Sequence, residues 1–174
     1  MVIGTSGAGK STLAVEIGAR FGLPVIELDA LNWRPGWVAR AVTDPAGFLA
    51  DVDAATAGPG WVAVGNYGTA RHLVWSRATD IVWLDYTRPV VMGRVIRRSA
   101  IRAWRREVIW GGNRESFAGW LAPDHPIQCA WRTWQTNRTA AIARLSEPGS
   151  AHLRVTQVLR PRDAGKVFRR LAPD

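Results

Sequence analysis

One short segment near the start of the chain combines residue types that bind phosphate. Residues 4–11 read Gly-Thr-Ser-Gly-Ala-Gly-Lys-Ser and match the pattern G-x-x-x-x-G-K-[ST] in full. Glycines let the backbone curl so that successive N–H groups face an anion at the positive end of the following helix. In such a loop, Lys10 reaches the β- and γ-phosphates of a nucleoside triphosphate, and the hydroxyl of Ser11 coordinates Mg²⁺. The segment therefore predicts a site for a nucleoside triphosphate and Mg²⁺ formed by Gly4, Thr5, Ser6, Gly7, Ala8, Gly9, Lys10, Ser11 and Thr12; the loop alone does not distinguish a kinase from an ATPase or GTPase.

The residues on both sides of this loop favour a phosphate site over the alternative, a glycine-rich turn that carries a lysine by chance. The apolar residues 1–3 predict the end of a strand, and their small number leaves open whether residues precede Met1. Leu13 and Ile17 then predict an amphipathic helix from about Lys10 to Arg20. The order strand, loop, helix is the context in which this motif binds nucleotides.

Strand patterns and helix patterns alternate along the rest of the chain, which is typical of an α/β domain around a parallel sheet. After the first pair, the predicted strands are 24–28, 61–64, 81–84 and 152–158, and the predicted helices are 45–55, 89–108, 127–145 and 164–171. The Gly- and Pro-rich segment 110–126 predicts a loop or lid. Because the sequence shows no repeat and no long linker, we predict a single domain over residues 1–174 with a lid around 106–138.

The composition limits the classes of function. The net charge is +9, and all but two of the 23 basic residues are arginines, which suits the recognition of phosphate groups. We expect no membrane partner, because no apolar run is long enough to span a bilayer. The N-terminus lacks a signal-peptide pattern, and the single cysteine, Cys129, excludes a disulfide framework. We therefore expect a cytoplasmic protein whose arginines face nucleotide phosphates, nucleic acid or solvent; its oligomeric state does not follow from the sequence.

The predicted helix from Pro89 carries a run of arginines. Arg94, Arg98, Arg102 and Arg105 are spaced four, four and three residues apart and form one stripe. Like charges at this spacing destabilise an isolated helix by about 0.2–0.5 kcal/mol per pair, and a bound anion would relieve that repulsion. We predict that Arg94 and Arg98, which are nearest the sheet edge, stabilise a transferring phosphoryl group. The alternative is a solvated face, which we favour for Arg105.

A further candidate arginine lies in the predicted helix 127–145. The apolar stripe of this helix consists of Ile127, Trp131, Trp134, Ala141, Ile142 and Leu145. Arg138 falls in phase with that stripe, and a buried arginine requires an anion. Arg138 is therefore a candidate lid arginine in catalysis, unless its side chain extends outward to solvent.

The order of the motifs resembles a known group of small kinases. The chain has no N/T-K-x-D motif for guanine, and its only lysine after the loop is Lys166, which disfavours a GTPase. The segments that carry the resemblance are the phosphate loop, Asp29-Ala30-Leu31-Asn32-Trp33-Arg34-Pro35-Gly36-Trp37, Gly65-Asn66-Tyr67, Trp83-Leu84-Asp85 before the arginine-rich helix, and Trp110-Gly111-Gly112-Asn113-Arg114-Glu115. Together they span essentially the whole chain. They resemble the adenylate-kinase-like bacterial topology modulation proteins, within the nucleoside-monophosphate-kinase-like P-loop superfamily.

The resemblance implies a P-loop kinase-like fold of three αβα layers with a five-stranded parallel sheet, a helical lid, and ATP with Mg²⁺. It also implies that Asp29 holds or deprotonates the hydroxyl of an acceptor, although Asp29 fits a helix or turn cap equally well. Asn66 and Tyr67 are candidates for lining the acceptor pocket, the alternative being a tight turn. Trp33, in the loop after Asp29, is a candidate for the wall of that pocket.

One position departs from the pattern of these proteins. Their third strand usually ends in an acidic residue before Gly-Asn-Tyr, and that acid holds the Mg²⁺ shell through water. Val64 stands at this position, and valine can neither accept a hydrogen bond nor balance a dication. We expect nucleotide binding to be retained and turnover to be weakened, to the extent that Asp29 and Asp85 do not substitute for the missing acid.

The leading hypothesis is a Mg·ATP-dependent phosphotransferase that moves the γ-phosphate of ATP to a small nucleotide-like acceptor. The competing hypothesis is a nucleotide-gated protein that binds nucleic acid and modulates DNA topology with little phosphate transfer. The charge of +9, Val64 and the arginine stripe favour the second hypothesis. The lack of any recognised nucleic-acid-binding motif counts against it.

Replacing Lys10 by alanine removes the only side-chain cation of the loop, so we expect Lys10→Ala to abolish tight ATP binding. Calorimetric titration with ATP measures the loss. Lys166→Ala changes the other lysine of the chain and is the matched control, with wild-type affinity expected. Undiminished ATP binding by the folded Lys10→Ala protein would contradict the phosphate-loop assignment.

Overall fold

The computed structural model describes residues 1–122 and 125–172, and its centre is a parallel β-sheet. In chain order the strands are β1 (Val2–Gly4), β2 (Val25–Glu27), β3 (Trp33–Arg34), β4 (Val38–Ala39), β5 (Val62–Val64), β6 (Asp80–Leu84) and β7 (Arg154–Val158). Among these described strands, five pair in parallel in the order β2-β5-β1-β6-β7, and β3 pairs with β4 as a small antiparallel ribbon. The predicted five-stranded parallel sheet is confirmed.

Helices cover both faces of this sheet and complete the three predicted layers. They are α1 (Lys10–Phe21), α2 (Leu28–Asn32), α3 (Arg40–Thr43), α4 (Pro45–Ala55), α5 (Gly68–Arg77), α6 (Arg88–Arg105), α7 (Pro126–Leu145) and α8 (Val167–Leu171). Short 3₁₀ turns lie at 35–37, 110–112, 117–121, 148–150 and 161–166. Within the described ranges, none of the helices is both long and apolar enough to cross a membrane.

Local sequence signals explain several of these boundaries. The buried run Ile81–Leu84 lies on β6 between two covered faces, which is why it reads as continuously apolar. Asp44 caps α4 by accepting a hydrogen bond from the Gly47 amide at 3.0 Å, and Pro45 occupies the first helical position. Helix α6 ends at Arg105 because Arg106 adopts the left-handed conformation with φ 48°.

The apolar core divides into groups on the two faces. On one face, α1, α6 and α8 pack Leu13, Val95 and Val167 against β1, β5 and β6. On the opposite face, α4 and α5 enclose Phe48 over β2 and β5, and Ala141 of α7 packs over β6. This arrangement holds the carboxyl ends of the strands open at one edge, where ligands bind in such sheets.

Several details differ from the sequence-based expectations; for example, the helix predicted to end at 108 ends at Arg105, and α5 was not predicted. Strand β2 ends at Glu27, and Leu28 opens α2, so Asp29 lies in a short helix directly after the strand. The last strand begins at Arg154 rather than at residue 152. Trp131 was predicted in the core, but it is 53% exposed and its ring lies 3.6 Å from the Arg88 guanidinium. Stacking on a cation, rather than burial, accounts for this tryptophan.

The predicted lid around 106–138 falls into two structurally different parts. Residues 126–138 belong to α7, whose Ala130 is fully buried in the core, so this part is a fixed wall of the domain. Residues 106–122 form an irregular segment with two 3₁₀ turns and a bridge between Val108 and Arg114. Residues 123 and 124 lie outside the described residues. The 106–122 segment is therefore the part of the prediction that has the form of a lid.

Candidate functional site

The loop between β1 and α1 is shaped to leave its backbone amides free. Gly9 caps α1 in the left-handed conformation, without a side-chain hydrogen bond to the first turn. Gly7 also has a positive φ, and a Cβ atom there would lie 2.8 Å from the Cβ of Val95 on α6. The loop can pass this close to α6 only because position 7 has no side chain. The amides at the start of α1 are thus available to an anion, at the positive end of the helix.

Lys10 lies at the centre of this loop. Its Nζ donates to the carbonyl oxygen of Thr5 at 3.2 Å. Desolvation lowers the pKa of Lys10 to about 8; the negative charge of Asp29 opposes this shift, and the positive charge of Arg98 adds to it. The ammonium group therefore gains stabilisation from any anion that enters the loop.

A cavity of about 910 Å³ lies in front of the loop, within the size range of small-molecule sites. Residues 6–12 of the loop line it. Its charged lining consists of Lys10, Glu16, Glu27, Asp29, Arg94, Arg97, Arg98 and Arg102. Cations outnumber carboxylates in this lining, which favours an anionic ligand such as a polyphosphate. Pro161 and Ala164, which follow the last strand, reach the same cavity.

The two predicted arginines of α6 both contact the phosphate loop. Arg94 donates from Nη1 to the carbonyl oxygen of Ala8 at 2.8 Å, and Arg98 donates from Nη2 to Oγ of Ser6 at 3.4 Å. Burial and the neighbouring charge of Arg102 lower the pKa of Arg98. The Nε of Arg98 is buried without a hydrogen-bond partner among the described atoms. These guanidinium groups are placed to share an anion with the loop.

Asp29 faces the loop across this cavity and is held by Tyr67. The Tyr67 hydroxyl donates to Oδ1 of Asp29. Burial and the adjacent Asp29 charge raise the pKa of Tyr67, so the phenol remains a hydrogen-bond donor. One carboxylate oxygen is therefore fixed, and the group keeps acceptor capacity for a second partner.

The other acceptor-site candidates lie apart from the phosphate cavity. Asn66 is exposed and donates from Nδ2 to the carbonyl oxygen of Gly4 at 3.0 Å, where it lines a separate groove between α5 and α7. The rings of Trp33 and Trp37 meet edge to face with centroids 5.6 Å apart, and neither ring lines the phosphate cavity. The structure thus brings Asp29 to the phosphate cavity, and Tyr67 through Asp29, whereas Asn66 contacts only the first residue of the loop from outside this cavity and Trp33 does not line it.

Arg138 is also separated from the loop. Its Nε donates to both carboxylate oxygens of Asp85 at 2.9 and 3.1 Å, and Gln157 donates to the same carboxylate at 2.8 Å. The anion that Arg138 requires is therefore Asp85, within the chain itself. These contacts also occupy Asp85, so it does not stand in for the acid missing at Val64, which is itself buried in the core.

Sequence reasoning assigned no role to Glu27, which lines the cavity, or to Asn113, which joins the 106–122 segment to the segment after Asp29. Glu27 is the last residue of β2, and its Oε2 accepts a hydrogen bond from the indole Nε1 of Trp110 at 2.9 Å. Asn113 donates to the carbonyl oxygen of Arg34 and accepts from the amide of Trp37. Ile109 and Trp110 of the 106–122 segment thus line the cavity, and Asn113 contacts the segment after Asp29. A possible signal was the position of Glu27, two residues before Asp29 at a strand end.

Comparison with known proteins supports the fold. No protein-family model and no curated protein sequence matches this chain. Solved structures that match include the crystal structure of a gluconokinase from Sinorhizobium meliloti 1021, which is 22% identical and superposes with a TM-score of 0.51. The alignment covers 98% of this chain and 91% of the gluconokinase chain. The chain has a P-loop kinase fold. At this identity the likeness concerns the fold alone.

The lowered pKa of Lys10 predicts how anion binding changes with pH. The charged form of Lys10 attracts phosphate, and with a pKa of about 8 this charge is lost as the pH rises from 7 to 9. We expect ADP affinity, measured by calorimetry, to fall by up to about tenfold per pH unit above 8, because one proton is taken up per ligand bound. Lys10→Arg keeps its charge in this range and should flatten the dependence, whatever its affinity at pH 7. An equally steep decline in Lys10→Arg would assign the titration to another group.

Proposed function

We propose that this chain is a Mg·ATP-dependent phosphotransferase that moves the γ-phosphoryl group of ATP to a small nucleotide-like acceptor. The observation that carries this proposal is the convergence of Lys10, Arg94 and Arg98 on the phosphate loop, with the Asp29 carboxylate across the same cavity. Loop amides and cations on one side suit a triphosphate. A carboxylate on the other side suits a hydroxyl that is to be phosphorylated.

The roles of the side chains follow from this arrangement. Lys10 and the loop amides bind the β- and γ-phosphates, and Arg94 and Arg98 stabilise the charge on the phosphoryl group during transfer. Asp29 orients the acceptor hydroxyl and takes its proton as the oxygen bonds to the γ-phosphorus. The bond from the γ-phosphorus to the β–γ bridging oxygen breaks, and ADP leaves. Tyr67 keeps the Asp29 carboxylate in one orientation throughout.

The oxygen groups of the loop region fit Mg²⁺, which prefers hydroxyl, carboxylate, water and phosphate oxygens. Among the described residues, no cluster of three or more His, Cys, Asp or Glu side chains forms a metal cage. A magnesium ion that arrives with nucleotide phosphates needs few protein ligands, and Ser11 is the one that the loop motif provides. When bound, the ion neutralises charge on the β- and γ-phosphate oxygens.

The identity of the acceptor is the open element of this proposal. Arg97 lines the cavity and is a basic side chain beyond those that hydrogen-bond to the loop, so an acceptor with its own negative charge is favoured. Nucleoside monophosphates meet this condition, and their ribose hydroxyls supply the acceptor oxygen that the step at Asp29 requires. Gluconate also meets it and belongs among the candidates, because a structure of similar fold is a gluconokinase.

Transfer of label from γ-labelled ATP to a panel of nucleosides, nucleoside monophosphates and gluconate tests the proposed reaction. We expect a labelled product with at least one anionic acceptor. Asp29→Asn should reduce that transfer by about 10²–10⁴-fold, because it removes the proton acceptor, while ATP affinity stays near wild type. Asp163→Asn, which changes an aspartate paired with Lys166 at the surface, is the matched control. Full transfer by the Asp29→Asn protein would remove Asp29 from the mechanism, and no labelled product from any acceptor would refute the proposed function.

The arginines of α6 provide a separate test. If Arg94 and Arg98 stabilise the transferring group, alanine at either position should lower kcat more than it weakens ATP affinity. The control is Arg105→Ala, because Arg105 lies on the same helix but is exposed and is not among the residues that line the cavity. Equal and small effects at all three positions would place Arg94 and Arg98 among solvated charges.

A further inference from the structure

The strand position that lacks an acid has a carboxylate directly beside it. Val64 ends β5, and its Cα partner in the adjacent parallel strand is Glu27, the last residue of β2. Paired residues of neighbouring strands project to the same face of a sheet. Val64 packs with Leu13 and Ala14 of α1, so Glu27 also projects to the side of the sheet that carries the phosphate loop. Glu27 accordingly lines the phosphate cavity together with Lys10 and Ser11.

The other acidic groups near the loop are less suited to a role beside the phosphates. Asp29 is held by Tyr67 on the acceptor side, and Asp85 is neutralised by Arg138. Glu16 lines the cavity but is an exposed residue of α1, in the turn after Ser11. Glu27 is half-buried at the carboxyl end of β2, and β2 lies next to β5, the strand that ends at Val64. Its position is therefore the nearest substitute for an acid at residue 64.

A residue outside the sheet, Trp110, orients the Glu27 carboxylate. The indole Nε1 of Trp110, in the 106–122 segment, donates to Oε2 at 2.9 Å. A carboxylate has two oxygens and about four lone-pair sites, so this single bond leaves capacity to accept hydrogen bonds from metal-bound water. Trp110 also lies 5.7 Å from the Arg102 guanidinium, which limits the freedom of the ring.

We propose that Glu27 takes the place of the acid missing at Val64 and accepts hydrogen bonds from the water shell of Mg²⁺ bound with nucleotide at Ser11. Trp110 is the positioning residue for this carboxylate. The inference rests on the proposed function to the extent that it requires a magnesium–nucleotide complex in the loop. Under this proposal Val64 is an ordinary core residue, and the acid lies on the neighbouring strand β2 instead of on β5.

Calorimetric titration with a non-hydrolysable ATP analogue, at Mg²⁺ concentrations from zero to saturation, tests this assignment without catalysis. In Glu27→Gln we expect the apparent Mg²⁺ affinity of the nucleotide complex to fall by about 10–100-fold, as for other residues that contact metal-bound water. Affinity for the metal-free analogue should remain unchanged or increase, because a negative charge is lost. Glu16→Gln removes a carboxylate from the same cavity and should leave the Mg²⁺ dependence at wild type.

Two further variants separate a metal role from a structural one. Val64→Asp in the Glu27→Gln background should recover part of the lost Mg²⁺ affinity if the protein remains folded by thermal unfolding. Trp110→Phe keeps an aromatic ring but removes the N–H donor, so we expect a smaller loss of Mg²⁺ affinity, in the same direction. This second variant does not place a carboxylate in the core and keeps the test valid if Val64→Asp unfolds.

The outcomes distinguish this inference from the proposed function. If the wild-type protein binds the analogue in a Mg²⁺-dependent manner and Glu27→Gln leaves that dependence unchanged, the role of Glu27 is refuted while the kinase proposal stands. If the wild-type protein does not bind the analogue at any Mg²⁺ concentration, both are refuted. A loss in Glu27→Gln that equals the loss in Glu16→Gln would indicate a general charge effect and would also refute the assignment.

Discussion

The close approach of α6 to the loop between β1 and α1 is the constraint on which the site depends. Gly7 and Val95 meet so closely that no side chain fits between them. Arg94 precedes Val95 on the helix, and its guanidinium reaches the carbonyl oxygen of Ala8 because the two backbones are in contact. A larger residue at position 7 would separate helix from loop, and the arginines would then leave the phosphate site. The same packing therefore shapes the anion-binding loop and supplies its cations.

This geometry concentrates positive charge before any ligand is present. Burial lowers the pKa values of both Lys10 and Arg98; the charge of Arg98 adds to the lowering of the Lys10 pKa, and the charge of Arg102 adds to that of the Arg98 pKa. Asp29 and Glu27 supply some opposing charge within the cavity but do not contact these cations directly. An entering polyphosphate relieves this repulsion and meets groups that are already oriented, so little reorganisation is required at binding. The unfavourable free energy of placing these cations together is offset by the other interactions of the folded protein.

Most of the fold could be predicted from the sequence, as could the part of the site that is formed by residues close together in the chain. The phosphate loop is set by neighbouring residues, so its pattern was readable. Arg94 and Arg98 contact the phosphate loop, and helical spacing fixes which arginines share a face, so the sequence could single them out; their role in phosphoryl transfer stays a prediction. Arg138 also falls in phase with a helical stripe, but it pairs with Asp85 instead of reaching the loop. Asp85 lies 53 residues away in the chain, and residue spacing does not reveal such pairs.

Glu27 shows the same limit of residue spacing, here for a residue that received no predicted role. Its proximity to Val64 is a matter of register between β2 and β5, which are separated in the chain by the whole of α4. Its bond to Trp110 spans 83 residues. Neither relation leaves a periodic signal, so a lone glutamate at a strand end gave no indication of a function.

The 106–122 segment is held to the domain by two kinds of contact with unequal free energies. At one end, Glu115 is buried and pairs with Arg102 at 3.0 Å, and separating such a pair leaves an uncompensated buried charge. At the other, Trp110 and Asn113 contact Glu27 and the backbone around Arg34 through exchangeable hydrogen bonds, each with a net value of about 1 kcal/mol. One short turn therefore links Glu27, which lines the phosphate cavity, to the backbone at Arg34. The segment is firmly anchored at Glu115 and more weakly attached at this turn.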